Sequence, residues 1–289
     1  MTGTNDTPLV SIGMPVHNES TYIDAALTAL RGQDYPRIEI IVCDNASTDG
    51  TLAICRRHAA ADARIRIEVS QHNLGVTANF RRAFELASGE YFMWASGHDT
   101  WAPDLVAECV ALLRDNPNAC VAFASADWIG PDDELIGKRL GWTDTRGLGP
   151  IARFFTILWG NMHPALGVMR ADQLRSCGPL PAFVGGDLAL LADLSLRGDF
   201  VHARHSGWSR RELRFEANHE QKVRRYVSSE FGVTGSWLRR SFPLLALPWA
   251  LMKLLLRSRL GVLDKLVALT ALLPLLVLRY RVGRRAGER

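Results

Sequence analysis

Along the first hundred residues the apolar positions switch between two spacings. Short β-rich runs at Leu9–Met14, Ile38–Cys43, Ile65–Val69 and Tyr91–Ala95 alternate with segments of helical length and period at Tyr22–Leu30, Leu52–Ala61 and Val76–Ala87. Strands alternating with helices in this way predict right-handed βαβ units and a parallel sheet. Val10, Ile12 and Met14, and the run Ile40-Ile41-Val42, predict strands buried on both faces. A helix over Ala102–Arg114 and a strand at Cys120–Ser125 come next. Residues 127–149, rich in Gly, Pro and Asp, read as turns and an irregular hairpin. Helix and strand signals resume through Ile151–Trp159, Ala165–Met169, Leu188–Leu196 and Phe200–His205. The expected fold class is therefore α/β: a Rossmann-like, mostly parallel sheet flanked by helices, with a helical tail.

After about residue 215 the pattern changes. The apolar runs Phe242–Met252 and Leu266–Leu278 are leucine-rich but short, against the roughly 20 residues a membrane-spanning helix needs. Lys253, Arg257, Arg259, Asp264 and Lys265 interrupt them. Two units are expected, a catalytic domain over 1–215 and a basic helical tail over 216–289. Charge sharpens that division. Residues 1–202 carry 16 Lys and Arg against 24 Asp and Glu, whereas residues 203–289 carry 18 against 6. An aliphatic, cationic tail suits an anionic membrane surface better than nucleic acid, whose binding segments usually interleave aromatic residues with the basic ones. No nucleic acid is expected.

Five cysteines, widely spaced and without a CxxC, argue against a zinc ribbon or a disulfide framework and read as buried thiols of a reducing compartment. The polar start, Met1 to Pro8, has no cation followed by an apolar run, so no secretory signal is read there. The expected location is cytoplasmic, peripheral at the inner face of the cell membrane.

Chemistry gathers at the strand ends, where open parallel sheets bind ligands. The first strand runs into Pro15-Val16-His17-Asn18-Glu19, the second into Asp44-Asn45-Ala46-Ser47-Thr48-Asp49-Gly50, and the fourth into Ser96-Gly97-His98-Asp99-Thr100-Trp101. No GxGxxG and no GxxxxGK[ST] follows any strand, which speaks against a dinucleotide or P-loop site.

Five motifs in order, Val10 to Glu19, Glu39 to Thr51, Asn73-Leu-Gly, Ala87-Ser-Gly-Glu-Tyr91 and Gly97-His-Asp-Thr-Trp-Ala-Pro-Asp104, resemble family-two glycosyltransferases of the GT-A fold. The resemblance runs from residue 9 to about 115 and more loosely to about 215. It implies an inverting glycosyltransferase of the metal-dependent, hexosyltransferase type, using a nucleotide diphosphate sugar donor. A saccharide or lipid-linked acceptor in envelope polysaccharide synthesis is the matching partner.

The resemblance also carries residue roles. Gly97-His98-Asp99 resembles the family's DXD region with His before the single retained Asp. Asp99 is thereby the expected ligand of Mg²⁺ or Mn²⁺, whose Lewis acidity would stabilise the diphosphate leaving group. His98 is left with three readings: a partner of the metal ligand, a diphosphate contact, or a ligand itself. Asp44 and Asn45 fall where relatives read base and ribose. Pro15, His17 and Glu19 fall beside the nucleoside, and Arg210 and Arg211 near the diphosphate or acceptor. Asp187, in Gly185-Gly186-Asp187, resembles the acceptor-deprotonating base, with a helix N-cap as the plain alternative. Asp49 reads as a turn residue, and Asp193, further along the same helical segment as Asp187, as a solvated or paired side chain. With every expected donor contact before residue 215, deleting the tail is expected to leave donor chemistry intact.

Two rivals stand beside this reading. A sugar nucleotidyltransferase would show a Gly-rich basic loop near the N-terminus, and residues 13–20 contain only Gly13 and no Lys or Arg. A nucleotide-sugar-binding or membrane scaffold protein with impaired catalysis is favoured by His98 in place of an acid, and opposed by Asp44, Asp99 and Asp187 together.

Overall fold

A computed structural model describes residues 7–137, 144–160, 163–213 and 245–286. In chain order the elements are β1 (Val10–Val16), α1 (Ile23–Arg31), β2 (Ile38–Asp44), α2 (Thr51–Ala61), β3 (Ile65–Val69), α3 (Val76–Glu85), β4 (Tyr91–Trp94), β5 (Thr100–Trp101), α4 (Leu105–Asp115) and β6 (Ala119–Ile129). Next come α5 (Pro150–Trp159), a 3-10 turn (His163–Leu166), β7 (Val168–Arg170), α6 (Ala171–Ser176), α7 (Gly186–Arg197) and β8 (Asp199–Arg211). The last two helices are α8 (Ala246–Arg257) and α9 (Val262–Ala286).

One eight-stranded sheet has the order β3-β2-β1-β4-β7-β6-β8-β5. β1 is parallel to β2 and β4, β2 to β3, and β6 to β8; β7 runs antiparallel to β4 and β6, and β5 to β8. The α/β expectation therefore stands, with a mixed second half. Strand order reverses between β1 and β4, so the loops leaving β1, β2 and β4 share one edge.

Packing explains the elements. Val10, Ile12, Met14 and Val16 alternate along β1 and are all buried, beneath α1, which turns Ile23, Ala26, Leu27 and Leu30 inward at helical spacing. Phe92, Trp94, Phe123 and Phe200 cover the opposite sheet face together with Leu190 and Leu194 of α7.

β6 and β8 are longer than their sequence signals. β6 continues past Ser125 to Ile129 because Ala126 and Ile129 are buried and Trp128 pairs with Arg210 across the ladder. Residues 127–129, expected as turn, are therefore strand. β8 continues to Arg211, and its Trp208 and Ser209 clip the two-residue β5, which the sequence pattern did not predict.

The 215/216 boundary lies outside the described residues. The helices α8 and α9 are no loose appendage: Leu247, Leu251 and Leu255 of α8 and Leu272 and Leu276 of α9 are buried in one cluster with Phe154 of α5 and Leu188 of α7. All five cysteines are free thiols, four of them buried.

Candidate active site

The loops after β1 and β2 are laced together. The Asn18 N–H donates to Ser47 Oγ at 3.0 Å, the Thr48 N–H to Asn18 Oδ1 at 2.9 Å and the Glu19 N–H to Thr51 Oγ1 at 2.7 Å. Asn18 and Ala46 turn their corners at φ 55° and 58°, a region that side chains other than glycine rarely occupy. Asp49 accepts from Ser20 N–H and from both the N–H and hydroxyl of Thr51. Against the cost of desolvation, these bonds hold its carboxyl well below the usual range. Asp49 is thus a turn residue, as expected.

Asp44, at the end of β2, is fully buried. Its Oδ2 accepts from Ser47 N–H at 3.1 Å, its Oδ1 has no hydrogen-bond partner, and its charge acts on the Cys55 thiol of α2. Asn45 spends its amide on the next loop: Nδ2 donates to Asn73 Oδ1 and Oδ1 accepts from Leu74 N–H, both at 2.8 Å. Neither side chain lies on the open surface. What the loops present there is His17, exposed, with Nε2 3.2 Å from Asn73 Nδ2, beside half-buried Pro15. Asn73 is a site residue that residue-by-residue reading passed over, although its Asn-Leu-Gly motif had marked the loop.

From β4 comes a third loop. Gly97 lets it press against the first, since a Cβ there would lie 3.0 Å from Glu19 Cγ and 3.1 Å from Val16 Cγ1. The next residue, His98, sets Nδ1 3.1 Å from both Glu19 carboxylate oxygens. A carboxylate only accepts, so Nδ1 carries the hydrogen. Asp99 faces inward, 1% exposed, and its Oδ1 accepts from the Arg211 N–H at 2.8 Å. Burial pushes its carboxyl up, opposed by the nearby His98 charge and by bonds from Arg211 and Ser96.

The two arginines do different things. Arg211 is a buried strut whose guanidinium donates to the carbonyls of His98 at 3.2 Å, Gly130 at 2.8 Å and Pro131 at 3.1 Å, and to Asp133, while stacking 4.4 Å over the Tyr22 ring. Its donors are thus spent inside the protein in this structure. Arg210 points the other way, its guanidinium 4.6 Å over the Trp128 ring, and its charge acts on both Asp99 and Asp187.

Asp187 sits in the first turn of α7, behind Gly185 at φ 86°. It does not cap the helix from outside; its Oδ1 accepts from Leu188 N–H at 2.9 Å, one of the amides a helix start leaves unpaired. Its side chain is open to solvent at a concave position, crowded by protein around it. That crowding pushes its carboxyl up, countered by those local N–H bonds and the charges of Arg210 and Arg279.

Mg²⁺ and Mn²⁺ at phosphate-transfer sites are typically held by one or two carboxylates together with the phosphates of the bound substrate. Asp99 has its carboxylate turned inward onto Arg211 and Ser96, and Glu19 is paired with His98. Among the described residues no group of three His, Cys, Asp or Glu side chains could hold a metal ion. In this structure the buried Asp99 carboxylate clips the β4 loop to β8.

A mixed sheet flanked by helices, with its polar strand-end loops on one edge, is the GT-A fold, and the comparisons agree. The model of glycosyl transferase family 2 matches residues 11–169, and the chain belongs to that family. Hyaluronan synthase of Pasteurella multocida is 30% identical over 141 residues, covering 48% of this chain and 14% of that far longer protein. The structure of S. aureus TarS 1-349 in complex with UDP-GlcNAc superposes with a TM-score of 0.69 at 15% identity, over 92% of this chain and 71% of that one. The mannosyltransferase PcManGT from Pyrobaculum calidifontis, in complex with GDP-Man and Mn²⁺, gives 0.59 at 19% identity, over 98% and 85%.

Proposed function

We propose that this glycosyltransferase moves a sugar, with inversion, from a nucleotide diphosphate donor to a saccharide or lipid-linked acceptor in envelope polysaccharide synthesis, working at the cytoplasmic face of the membrane. The observation that carries the reading is Asp187, a solvent-open carboxylate at a helix start, close enough to Arg210 of β8 to feel its charge. The solved fold neighbours with UDP-GlcNAc and GDP-Man support the donor class, and the hyaluronan synthase relative supports a polymer acceptor.

In this reading the nucleoside lies against His17, Pro15 and the Asn73 loop, held rigid by Asn45. Asp187 takes the proton of the acceptor hydroxyl as that oxygen attacks the anomeric carbon, while the carbon–oxygen bond to the diphosphate breaks on the opposite face. Arg210 and His98 meet the charge that builds on the leaving group. Desolvation raises the Asp187 carboxyl and makes it a stronger base than an ordinary aspartate, and the Arg210 charge opposes that rise. The test is release of UDP, TDP or GDP from a panel of sugar nucleotides, with and without added oligosaccharide. Acceptor-stimulated release from one donor is expected; no release from any would overturn the proposal.

A further inference from the structure

α8 and α9 each bury one stripe and expose the opposite one. On α9, Ala268, Leu272 and Leu276 face the body, while Val262, Leu263, Leu266, Val267, Leu273 and Val277 form a continuous outward stripe at helical spacing. Val262 and Leu263 are 78% and 74% exposed, so this is not partial burial in a loose core. On α8 the outward residues are Leu245, just before it, Trp249 and Leu256, and the Lys253 ammonium lies 5.0 Å over the Trp249 ring. So many large apolar side chains along one side of a helix pair mark a surface that another phase or molecule covers.

Charge decides which. Residues 245–286 hold eight Lys and Arg, at 253, 257, 259, 265, 279, 281, 284 and 285, against one acid, Asp264. A second copy of this chain would bring like charge against like. An anionic lipid surface brings the complement, and Trp249 with Lys253 is the aromatic–cation pairing that suits a headgroup layer. No described helix is long and apolar enough to cross a membrane. We propose that the outward faces of α8 and α9 lie in the plane of an anionic bilayer.

The inward faces give that docking a consequence. Leu247 packs where a Cβ on Gly185 would stand 3.0 Å from its Cδ2, two residues before Asp187. Arg279 of α9 donates to the carbonyl oxygens of Leu158 and, at 3.0 Å, Gly160 at the end of α5. The helix pair is thus a slab with lipid on one side and the base-bearing α7 on the other. Docking fixes the distance of Asp187 from the bilayer and favours an acceptor that is itself carried by the membrane.

The docking face is independent of the sugar-transfer reading; only the acceptor preference rests on it. The experiment is flotation of the full chain with vesicles of phosphatidylcholine alone or with about one third phosphatidylglycerol, alongside the Leu263→Glu/Leu266→Glu variant and the Arg257→Gln/Arg259→Gln variant. Both pairs are solvent-facing, and unchanged thermal unfolding confirms that the variants fold. Expected are binding to the anionic vesicles alone, a loss of about tenfold or more in the glutamate variant, and weaker, less salt-sensitive binding in the glutamine variant. Wild-type binding by a folded glutamate variant would overturn the proposal. So would equal binding to both vesicle types, or a concentration-dependent dimer that the glutamates abolish. Nucleotide binding, followed separately by tryptophan fluorescence, tells failure of the transfer reading from failure of this one.

Discussion

Asp99 Oδ1 and the Arg211 amide, 112 residues apart in the chain, meet at 2.8 Å inside the protein, and that bond ties the β4 loop to the last strand of the sheet. It makes Asp99 a positioning residue for its neighbours: His98 on one side turns out toward Glu19, and Arg210 on the other lies over the Trp128 ring, with its charge acting on Asp187. Asp99→Asn keeps an acceptor for the amide, and Asp99→Ala removes it. We expect the alanine variant to lose roughly 1–3 kcal/mol of stability, the cost of an unpaired buried amide, and the asparagine variant to lose less. Nucleotide affinity of the asparagine variant should stay within about threefold of wild type, with or without Mn²⁺. A collapse of Mn²⁺-dependent nucleotide binding in a stably folded Asp99→Asn protein would instead make Asp99 a metal ligand.

His98 and Glu19 should act on the donor as one unit. Their contact at 3.1 Å is half-buried, and each residue comes from a different strand-end loop. In a double-mutant cycle of Glu19→Ala and His98→Ala, nucleotide affinity should show a coupling of roughly 0.5–2 kcal/mol. Additive losses would mean that the two contribute separately or not at all.

Sequence alone makes the first half of the fold legible because β1, β2 and β4 are buried along nearly their whole length and α1 has a clean apolar stripe. The expected β1 and α1 agree with the structure within two residues at each end. The pattern fails at β6 and β8, where Ala, Ser, Gly and Arg carry little strand signal and pairing across the ladder supplies the reason for extension. Motif order picks out the three strand-end loops, but not which way each side chain turns. Asp44 and Asp99 sit inside motifs, and Arg211 is marked by resemblance, yet all three face the interior, because burial and local hydrogen bonding depend on neighbours far along the chain. Asp193, by contrast, has its partner one turn on in α7, where it pairs with Arg197 at 2.9 Å, and so local spacing suffices to place it.

Asp187 offers a test by pH as well as by substitution. A base works only when ionised, so the acid limb of kcat/KM should follow its carboxyl, which is held above the ordinary 3.8 chiefly by desolvation. Activity should fall as pH drops through that raised value. Asp187→Asn should cut kcat by about 10²–10⁴-fold with donor affinity little altered, and the residual activity should lose that limb. An unchanged acid limb in the asparagine variant would assign the titration to another group.

Acid stability has a different source. Asp62, after α2, accepts from Arg64 Nη2 at 2.8 Å and Arg31 Nε at 3.4 Å, and the Arg64 bond above all lowers its carboxyl to about 2. A depressed pKa contributes stability that is complete above the unfolded value near 3.8 and is lost as pH falls through about 2. Arg31 and Arg64 are each about one-third exposed, so screening limits the contribution to roughly 1 kcal/mol. Asp62→Asn should therefore unfold at lower temperature than wild type at pH 6, and the gap should close as pH approaches 2. A gap that persists at pH 2 would show that the asparagine acts through packing instead.

Truncation separates a detachable anchor from a structural slab. If the helices after residue 244 were only an anchor, a chain ending there would stay folded and keep its donor chemistry. Instead Leu247, Leu251, Leu255, Leu272 and Leu276 are each no more than 3% exposed, and their removal would bare Phe154 and Leu188 beneath them. Each such side chain contributes about 1.5–3 kcal/mol by burial, so five together rival the roughly 5–15 kcal/mol that holds a typical domain folded. The truncated chain should accordingly be insoluble, or lose its near-ultraviolet circular dichroism and its cooperative thermal transition. The Leu263→Glu/Leu266→Glu variant, altered only on the outward face, should keep both. A soluble truncated chain with a cooperative transition and wild-type nucleotide affinity would show that α5 and α7 close over one another without the tail, and that Asp187 owes its position to the body alone.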